Sequence, residues 1–177
     1  MLSIIVPVRD ESKTIEGVFD YFNNNLKSIK YEVLIINDFS KDDTLDKTKS
    51  LVGEYKNFKV FDNDKKGLGG AINLGIKKAL GINVVIMMAD QSDDINDLIE
   101  YDKLMKSGEF DAILGSRFTK NSRVNDYPFQ KLILNRIFNL IVSLLFWNKY
   151  NDYTNAFKIY KKQALKDIMP LVSESFN

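Results

Sequence analysis

The sequence predicts an α/β fold: a mostly parallel central sheet with helices on both faces. Three observations carry that expectation. Short apolar runs alternate with longer amphipathic segments along most of the chain, the order of repeated βαβ units. The run Val84 to Met88 is apolar throughout, which marks a strand buried on both faces of a sheet. Directly behind it stand Asp90, Asp93 and Asp94, and open α/β sheets gather ligand chemistry at the carboxyl ends of their strands.

Each element follows from its own residues. Leu2 to Val8 is an apolar strand. A helix from about Ser12 to Ser28 comes next, with Ile15, Val18, Phe19 and Phe22 as its apolar face and Ser12 and Glu16 near capping spacing. Tyr31 to Ile36 is a second buried strand, and Asp42 or Asp43 opens a helix running to about Tyr55. Phe58 to Phe61 is a short strand, and Gly67 to Leu80 a helix entered through a glycine-rich turn. After the strand Val84 to Met88 come a helix over Ile95 to Met105 and a strand over Phe110 to Leu114. Right-handed crossovers put every βα turn on one edge of the sheet. The turns Pro7 to Glu11, Asn37 to Asp43 and Ala89 to Asp94 are therefore expected together.

Composition narrows the chemistry. A chain of 177 residues, 45% hydrophobic and 28% charged, fits one globular domain with a real core. It shows no internal repeat, low-complexity segment or linker. Its net charge of +1 supplies no field to draw in nucleic acid. With neither cysteine nor histidine, disulfides, thiolate chemistry, Cys/His zinc sites and a histidine base are excluded. The lack of cysteine fits a reducing compartment. The apolar start, Met-Leu-Ser-Ile-Ile-Val-Pro-Val, is too short for a signal peptide, and no basic region precedes it.

The acidic turn after Met88 offers oxygen ligands of the kind that suit Mg²⁺ or Mn²⁺, which can in turn hold a diphosphate. One of Asp93 and Asp94 is needed to cap the following helix; capping does not account for Asp90. Asp38 either accepts hydrogen bonds from the N–H groups of a base or serves as a turn residue ahead of its helix. Gly67-Leu68-Gly69-Gly70 lets backbone approach phosphate or sugar oxygens at a helix start. It is no dinucleotide fingerprint, because Ile72 stands where the third glycine belongs, and it lacks the Gly-Lys-Ser/Thr of a P-loop. Three of the four arginines, Arg117, Arg123 and Arg136, fall in one stretch with Lys120 and Lys131, against the single acid Asp126. Arginine there suits bidentate phosphate recognition, a solvated loop being the alternative. The apolar run Ile137 to Trp147, short of the ~20 residues that span a bilayer, is either a core helix or one at a membrane interface, and the sequence favours core.

Taken in order, Pro7-Val8-Arg9-Asp10-Glu11, Asn37-Asp38-Phe39-Ser40-Lys41-Asp42-Asp43-Thr44, Gly67-Leu68-Gly69-Gly70-Ala71, Ala89-Asp90 and Gly115-Ser116-Arg117-Phe118 resemble family-2 glycosyltransferases of the GT-A fold. The polyprenyl-phosphate (dolichyl-phosphate) mannosyltransferase-like branch carries an Asp-x-Thr-x-x-Phe-x-x-Tyr motif, similar to Asp152, Thr154, Phe157 and Tyr160 here. The resemblance covers essentially the whole chain. It implies a GDP- or UDP-sugar donor, Mg²⁺ or Mn²⁺, inverting transfer and a polyprenyl phosphate acceptor. By position it implies Pro7, Arg9, Glu11, Asp38, Gly67 and Gly69 around the nucleotide. Asp90 would hold the metal, with Asp93 or Ser92 supplying the ligand lost at Met88. Arg117, joined by Arg123, Arg136, Asp152 and Thr154, would meet the acceptor, and Asp90 and Arg117 would be the catalytic pair. Two departures stand out. The family's Asp-x-Asp reads Met88-Ala89-Asp90, and related sequences continue where this one stops at Asn177, so a C-terminal truncation is expected.

A hydroxyl acceptor needs a general base in reach, whereas a lipid phosphate is already anionic near neutral pH. That difference suits a chain without histidine, and the arginines beside an apolar segment suit a lipid phosphate. The expected location is the cytoplasm, free or peripheral at the cytoplasmic face of a membrane. The other readings are transfer to a sugar hydroxyl, an inert nucleotide-sugar binding module, and a sugar-1-phosphate nucleotidyltransferase. The last is disfavoured because Pro7 to Glu11 contains no glycine.

Overall fold

The structure, a computed structural model, describes residues 1–119, 129–148 and 150–169. Twelve elements follow in the order β1 (Leu2–Val8), α1 (Ile15–Asn25), β2 (Tyr31–Asn37), α2 (Thr44–Val52), β3 (Phe58–Asp62), α3 (Leu68–Lys78), β4 (Asn83–Ile86), α4 (Ile95–Met105), β5 (Ala112–Leu114), α5 (Phe129–Leu145), β6 (Lys158–Lys161) and α6 (Lys162–Asp167). They form one six-stranded sheet in the order β3-β2-β1-β4-β6-β5, with helices around it. The chain divides into two compact units, Met1–Ile113 with the segment from Ile159 onward, and Leu114–Lys158.

The first unit is the α/β layer that alternating apolar runs predict. β1 pairs in parallel with β2 and β4, and β2 with β3. Every residue of β1, β2 and β4 is buried, as expected of parallel strands covered on both faces. Ile5, Leu34, Ile36, Val84 and Ile86 pack with Ala71 and Ile76 from α3, Ala79 just after it, and Leu165 from α6. Strand alternation sends Ile4, Val6, Val33 and Ile35 to the opposite face. α1 buries Ile15, Val18, Phe19 and Phe22, the stripe read from its sequence, and the Phe19 ring stacks on Phe58 with centroids 4.4 Å apart. The order β2-β1-β4 reverses direction at β1, and such a switch point opens a crevice outside the carboxyl ends of the strands.

One polar cluster interrupts this core at the other end of the sheet. Ser3 and Glu32 are register partners, and the Ser3 hydroxyl donates to Glu32 Oε1 at 2.6 Å. The same oxygen accepts from the Leu80 N–H at 2.6 Å, Lys59 Nζ lies 2.9 Å from Oε2, and Gly81 N–H donates to Ser3 Oγ at 2.8 Å. Burial pushes the Glu32 carboxyl up, but the bonds from Ser3, Lys59 and Leu80 outweigh it and hold the group below its ordinary range.

Three expectations need correction. The first helix begins at Ile15 rather than Ser12, because Ser12 N–H is bonded to Asp42 and Glu11 accepts from Thr14 and Ile15. The strand β6 was not anticipated. Lys161 N–H donates to Asp111 C=O and Gly115 N–H to Phe157 C=O, so residue numbers fall on one strand as they rise on the other and β6 runs antiparallel to β5. Finally, the apolar run Ile137 to Trp147 is not core. It belongs to the longer helix α5 and the turn after it, and most of its large side chains are exposed, Leu145 at 72% and Trp147 at 95%.

Candidate active site

In the first unit the turns after β1, β2 and β4 supply most of the residues singled out from sequence. The β1–α1 and β2–α2 turns are stitched together by backbone amides. Asp10 N–H donates to Ser40 Oγ at 3.1 Å, Glu11 N–H to Thr44 Oγ1 at 2.7 Å, Ser12 N–H to Asp42 Oδ2 at 3.1 Å, and Lys41 N–H to Asp10 Oδ1 at 2.6 Å. The Thr44 hydroxyl and the backbone N–H groups of Thr44 and Ser12 all donate to Asp42 and keep its carboxyl well below the usual carboxylate range. Pro7 is buried in β1, Arg9 and Asp10 are exposed, and Glu11 is half-buried. Asp10, Phe39 and Gln91, one in each turn, have φ of 57°, 56° and 57°. Non-glycine residues in the left-handed region cluster where surrounding structure fixes a functional loop.

Asp38 directly follows β2 and is 5% exposed. Its Oδ1 accepts from Asn63 Nδ2 at 2.8 Å and from Gly67 N–H at 2.8 Å. Asn63, itself buried, also donates to Lys65 C=O at 2.5 Å and accepts from Lys65 N–H at 3.3 Å, closing the turn that enters α3. Gly67 at the cap of α3 has φ 113°, open to glycine alone without strain. At Gly70 a Cβ would lie 1.9 Å from Lys65 C=O. The glycine-rich turn is therefore required by its own chain as well as being suited to a ligand. Gly67 and Gly69 are both half-buried at the helix start.

The β4–α4 turn resolves the acidic triplet. Asp94 caps α4, accepting from Asn96 N–H at 2.8 Å, so the capping role falls to it and not to Asp93. Asp90 is exposed, and its Oδ1 accepts from Ser92 N–H at 3.0 Å. Asp93 is half-buried, and its C=O receives the Tyr21 hydroxyl at 2.8 Å. Met88, at the position of the missing acid, is 36% exposed. Among the described residues no three carboxylates are grouped to hold a metal. Such an arrangement does not fit a preformed protein cage. It does fit a Mg²⁺-like ion bound through one carboxylate and the oxygens of a diphosphate, the usual mode of that cation.

The second unit holds the arginine site. Asp152, with no exposed side-chain surface, takes three hydrogen bonds from Arg117: backbone N–H to Oδ2 at 2.8 Å, Nε to Oδ2 at 2.9 Å and Nη2 to Oδ1 at 2.7 Å. Arg117 Nη2 also reaches Thr154 Oγ1 at 2.8 Å. Burial raises the Asp152 carboxyl, yet Arg117's hydrogen bonds and charge, with the Thr154 hydroxyl, bring it below its ordinary value. Burial lowers the neighbouring Lys158 ammonium, whose Nζ donates to Tyr153 C=O at 3.0 Å. Tyr153 N–H donates at 2.6 Å to Asn139, a buried residue of α5. The arrangement brings Arg117, Asp152 and Thr154 together as a clasp between two segments of the unit.

Arg136 has different surroundings. Its guanidinium lies 4.9 Å from the Phe118 ring centroid, a cation–π contact, and it lines a cavity of about 430 Å³ with Phe118, Ile137, Asn139, Leu140, Ser143, Tyr150 and Asn151. Two lining residues, Ile137 and Leu140, belong to the exposed apolar face of α5. Arg123, Lys120, Asp126 and Lys149 lie outside the described residues. No helix among the described residues is long and apolar enough to cross a membrane. Asn63, Asn139 and the half-buried Lys158 were not anticipated. Asn and Lys are common surface residues, and nothing in local spacing distinguishes a buried one.

Comparison with known proteins places these features in a family. The chain is 29% identical over 135 residues to a dolichol-phosphate mannosyltransferase of Pyrococcus furiosus, covering 76% of this chain and 38% of that protein. It is 27% identical to glycosyltransferase AglD of Haloferax volcanii over 98% of its own length and 28% of the relative's. It is 29% identical to dolichyl-phosphate beta-glucosyltransferase ALG5A of Trichomonas vaginalis over 94% of its length and 55% of the relative's. It thus spans between about a quarter and just over half of these relatives. Among solved structures, glucosyl-3-phosphoglycerate synthase of Mycobacterium tuberculosis in complex with Mn²⁺ and UDP-glucose matches with a TM-score of 0.69 at 15% identity, over 95% of this chain and 58% of that one. S. aureus TarS 1-349 in complex with UDP-GlcNAc matches at 0.61 and 23% identity, over 94% and 46%. Both likenesses show the GT-A type of fold. The sequence model of Glycosyl transferase family 2 matches residues 3–169, and the chain belongs to that family.

Proposed function

We propose that this chain is the catalytic part of an inverting glycosyltransferase that moves a sugar from a nucleotide-diphospho-sugar to a polyprenyl phosphate at a membrane surface. One observation carries the choice of acceptor: in the second unit, Arg136 borders a cavity whose walls continue onto the exposed apolar face of α5. A lipid phosphate needs that pairing, a cation for its head and apolar surface towards its tail. A soluble sugar needs neither. Two relatives named for dolichyl phosphate support the same reading.

The residues divide the work by unit. In the first, Asp38 meets the base, Arg9, Glu11 and the start of α3 at Gly67 and Gly69 line the nucleotide, and Asp90 carries the charge that a divalent cation would share with the diphosphate. Mg²⁺ or Mn²⁺ bound there would supply neutralisation of the leaving nucleoside diphosphate. The N–H groups at the start of α3 stabilise the same developing charge. In the second, Arg117 and Arg136 orient the acceptor phosphate, with Asp152 and Thr154 holding Arg117 in place. An oxygen of the acceptor phosphate attacks C1 of the sugar and the C1–O bond to the diphosphate breaks. The bonding pair leaves on the diphosphate oxygen and C1 inverts. No proton has to be removed from the nucleophile, so no general base is required.

The test is transfer of labelled sugar by the full-length protein in the presence of a polyprenyl phosphate. Label extracted into organic solvent, lost on Arg136→Ala with nucleotide binding intact, supports the proposal. Label on a water-soluble glycan refutes the lipid acceptor.

A further inference from the structure

We infer that the donor base is uracil rather than guanine, because contacts within the chain leave Asp38 a single acceptor oxygen to offer. The inference rests on the reading of Asp38 as the base contact. A carboxylate oxygen has two lone pairs, and both on Oδ1 are directed to partners of the chain itself, Asn63 Nδ2 at 2.8 Å and Gly67 N–H at 2.8 Å. Among the described residues no buried side-chain oxygen lacks a partner. Oδ2 takes part in no hydrogen bond of the described residues, so it is the oxygen that reaches solvent through the residual exposure of Asp38. Asp38 therefore presents one acceptor atom, not two.

The bases differ on this point. Uracil carries a single ring N–H between two carbonyls, and one oxygen satisfies it. Guanine presents N1–H and N2–H side by side, which a carboxylate satisfies by using both oxygens. With Oδ1 committed, one guanine donor is left unpaired on binding, and unpaired buried donors are what polar sites reject most strongly. Cytosine and adenine offer an acceptor ring nitrogen on the same edge, which faces the carboxylate unfavourably. Asn63 sets this state. Its own N–H groups are spent on Asp38 and on the carbonyls of Lys65 and Gly67, and its oxygen on Lys65 N–H, so the carboxylate cannot turn without breaking the turn into α3.

The experiment is calorimetric binding of UDP, GDP and CDP to the full-length protein with Mg²⁺, repeated on Asp38→Asn, with thermal unfolding to check that the variant is folded. In the parent, UDP is expected to bind at least about tenfold tighter than GDP, the scale of one hydrogen bond to a charged group. In Asp38→Asn, the carboxamide oxygen stays with Asn63 and Gly67, and its NH₂ takes the place of Oδ2. UDP affinity is then expected to fall about 10- to 100-fold while CDP, whose ring nitrogen accepts, becomes the better ligand. GDP binding as tightly as UDP overturns the base assignment and leaves the nucleotide-sugar reading standing. An unchanged order in a folded Asp38→Asn overturns the role of Asp38. Binding of no nucleoside diphosphate overturns the donor reading itself, and this inference with it.

Discussion

Replacing Asp152 by alanine removes the acceptor for three hydrogen bonds from Arg117, at 2.8, 2.9 and 2.7 Å. Charge-assisted bonds contribute about 1.5–3 kcal/mol each, and a plain sum overshoots because Arg117, 29% exposed, regains some water. Breaking a buried ion pair from one side costs about 3–5 kcal/mol, and the partial exposure of Arg117 places this case near the lower end. The cost falls on the second unit, so the assay is native-state hydrogen exchange of the full-length protein. It is read at the amides of Gly115 and Tyr153, whose acceptors are Phe157 C=O and Asn139 Oδ1 rather than Asp152. A local loss of about 3 kcal/mol lowers their protection roughly 150-fold. Asp152→Asn, which keeps the shape and loses the charge, is expected to fall between parent and alanine. The folded carboxyl sits below its unfolded value of 3.8, so this stabilisation is complete above about pH 4 and fades as pH falls through the lower folded value. Protection within threefold of the parent in Asp152→Ala, or a clasp that weakens on raising the pH from 5 to 8, would refute the reasoning.

Other outcomes follow from the same geometry. Asp90→Asn should abolish the strengthening of nucleoside-diphosphate binding by Mn²⁺; an unchanged metal dependence removes Asp90 from the metal site. Gly70→Ala forces a Cβ against Lys65 C=O and should cost about 1–3 kcal/mol in urea unfolding while weakening UDP binding. Wild-type stability in that variant would show that the turn yields freely. The pair Ile141→Ser with Leu145→Ser removes two exposed side chains one helical turn apart, 51% and 72% exposed. Folding should change by less than about 1 kcal/mol in total, while sedimentation with lipid vesicles falls about tenfold or more. Equal vesicle binding would mean that α5 does not meet lipid.

Much of the first unit was legible because its signals are local. The apolar strands β1, β2 and β4 announce themselves by composition, and α4 begins and ends where its cap and periodicity say, at Ile95 and Met105. Harder to read were features decided by partners distant in sequence. Ser12 has the chemistry of a helix cap, but its N–H is taken by Asp42 thirty residues on, and the helix starts later. β6 is four residues of mixed polarity that exist as a strand only through pairing. The run Ile137 to Trp147 reads as core because hydrophobicity reports preference for an apolar neighbour, not which neighbour it meets. In the candidate site, Asp38, Asp90 and Arg117 stood out by type and position. Asn63 did not, since its role depends on being buried between a carboxylate and two carbonyls.

The buried pair at the far end of the sheet also bears on how the strands find their alignment. A strand covered on both faces has no polar side, so hydrophobicity alone scarcely distinguishes one pairing register from the next. Ile4, Ile5 and Val6 of β1 face Val33, Leu34 and Ile35 of β2, and these aliphatics are almost interchangeable. Ser3 opposite Glu32 is not interchangeable. Sliding β1 by one position would set Glu32 against Leu2 or Ile4 and leave its carboxylate short of the Ser3 hydroxyl, and a carboxylate deprived of partners in such surroundings costs several kcal/mol. The cluster thus acts as an index mark, one polar match that rejects the neighbouring registers. Because all three carboxyl-edge turns hang from those strands, the alignment it selects also determines which side chains arrive at the opposite end of the sheet.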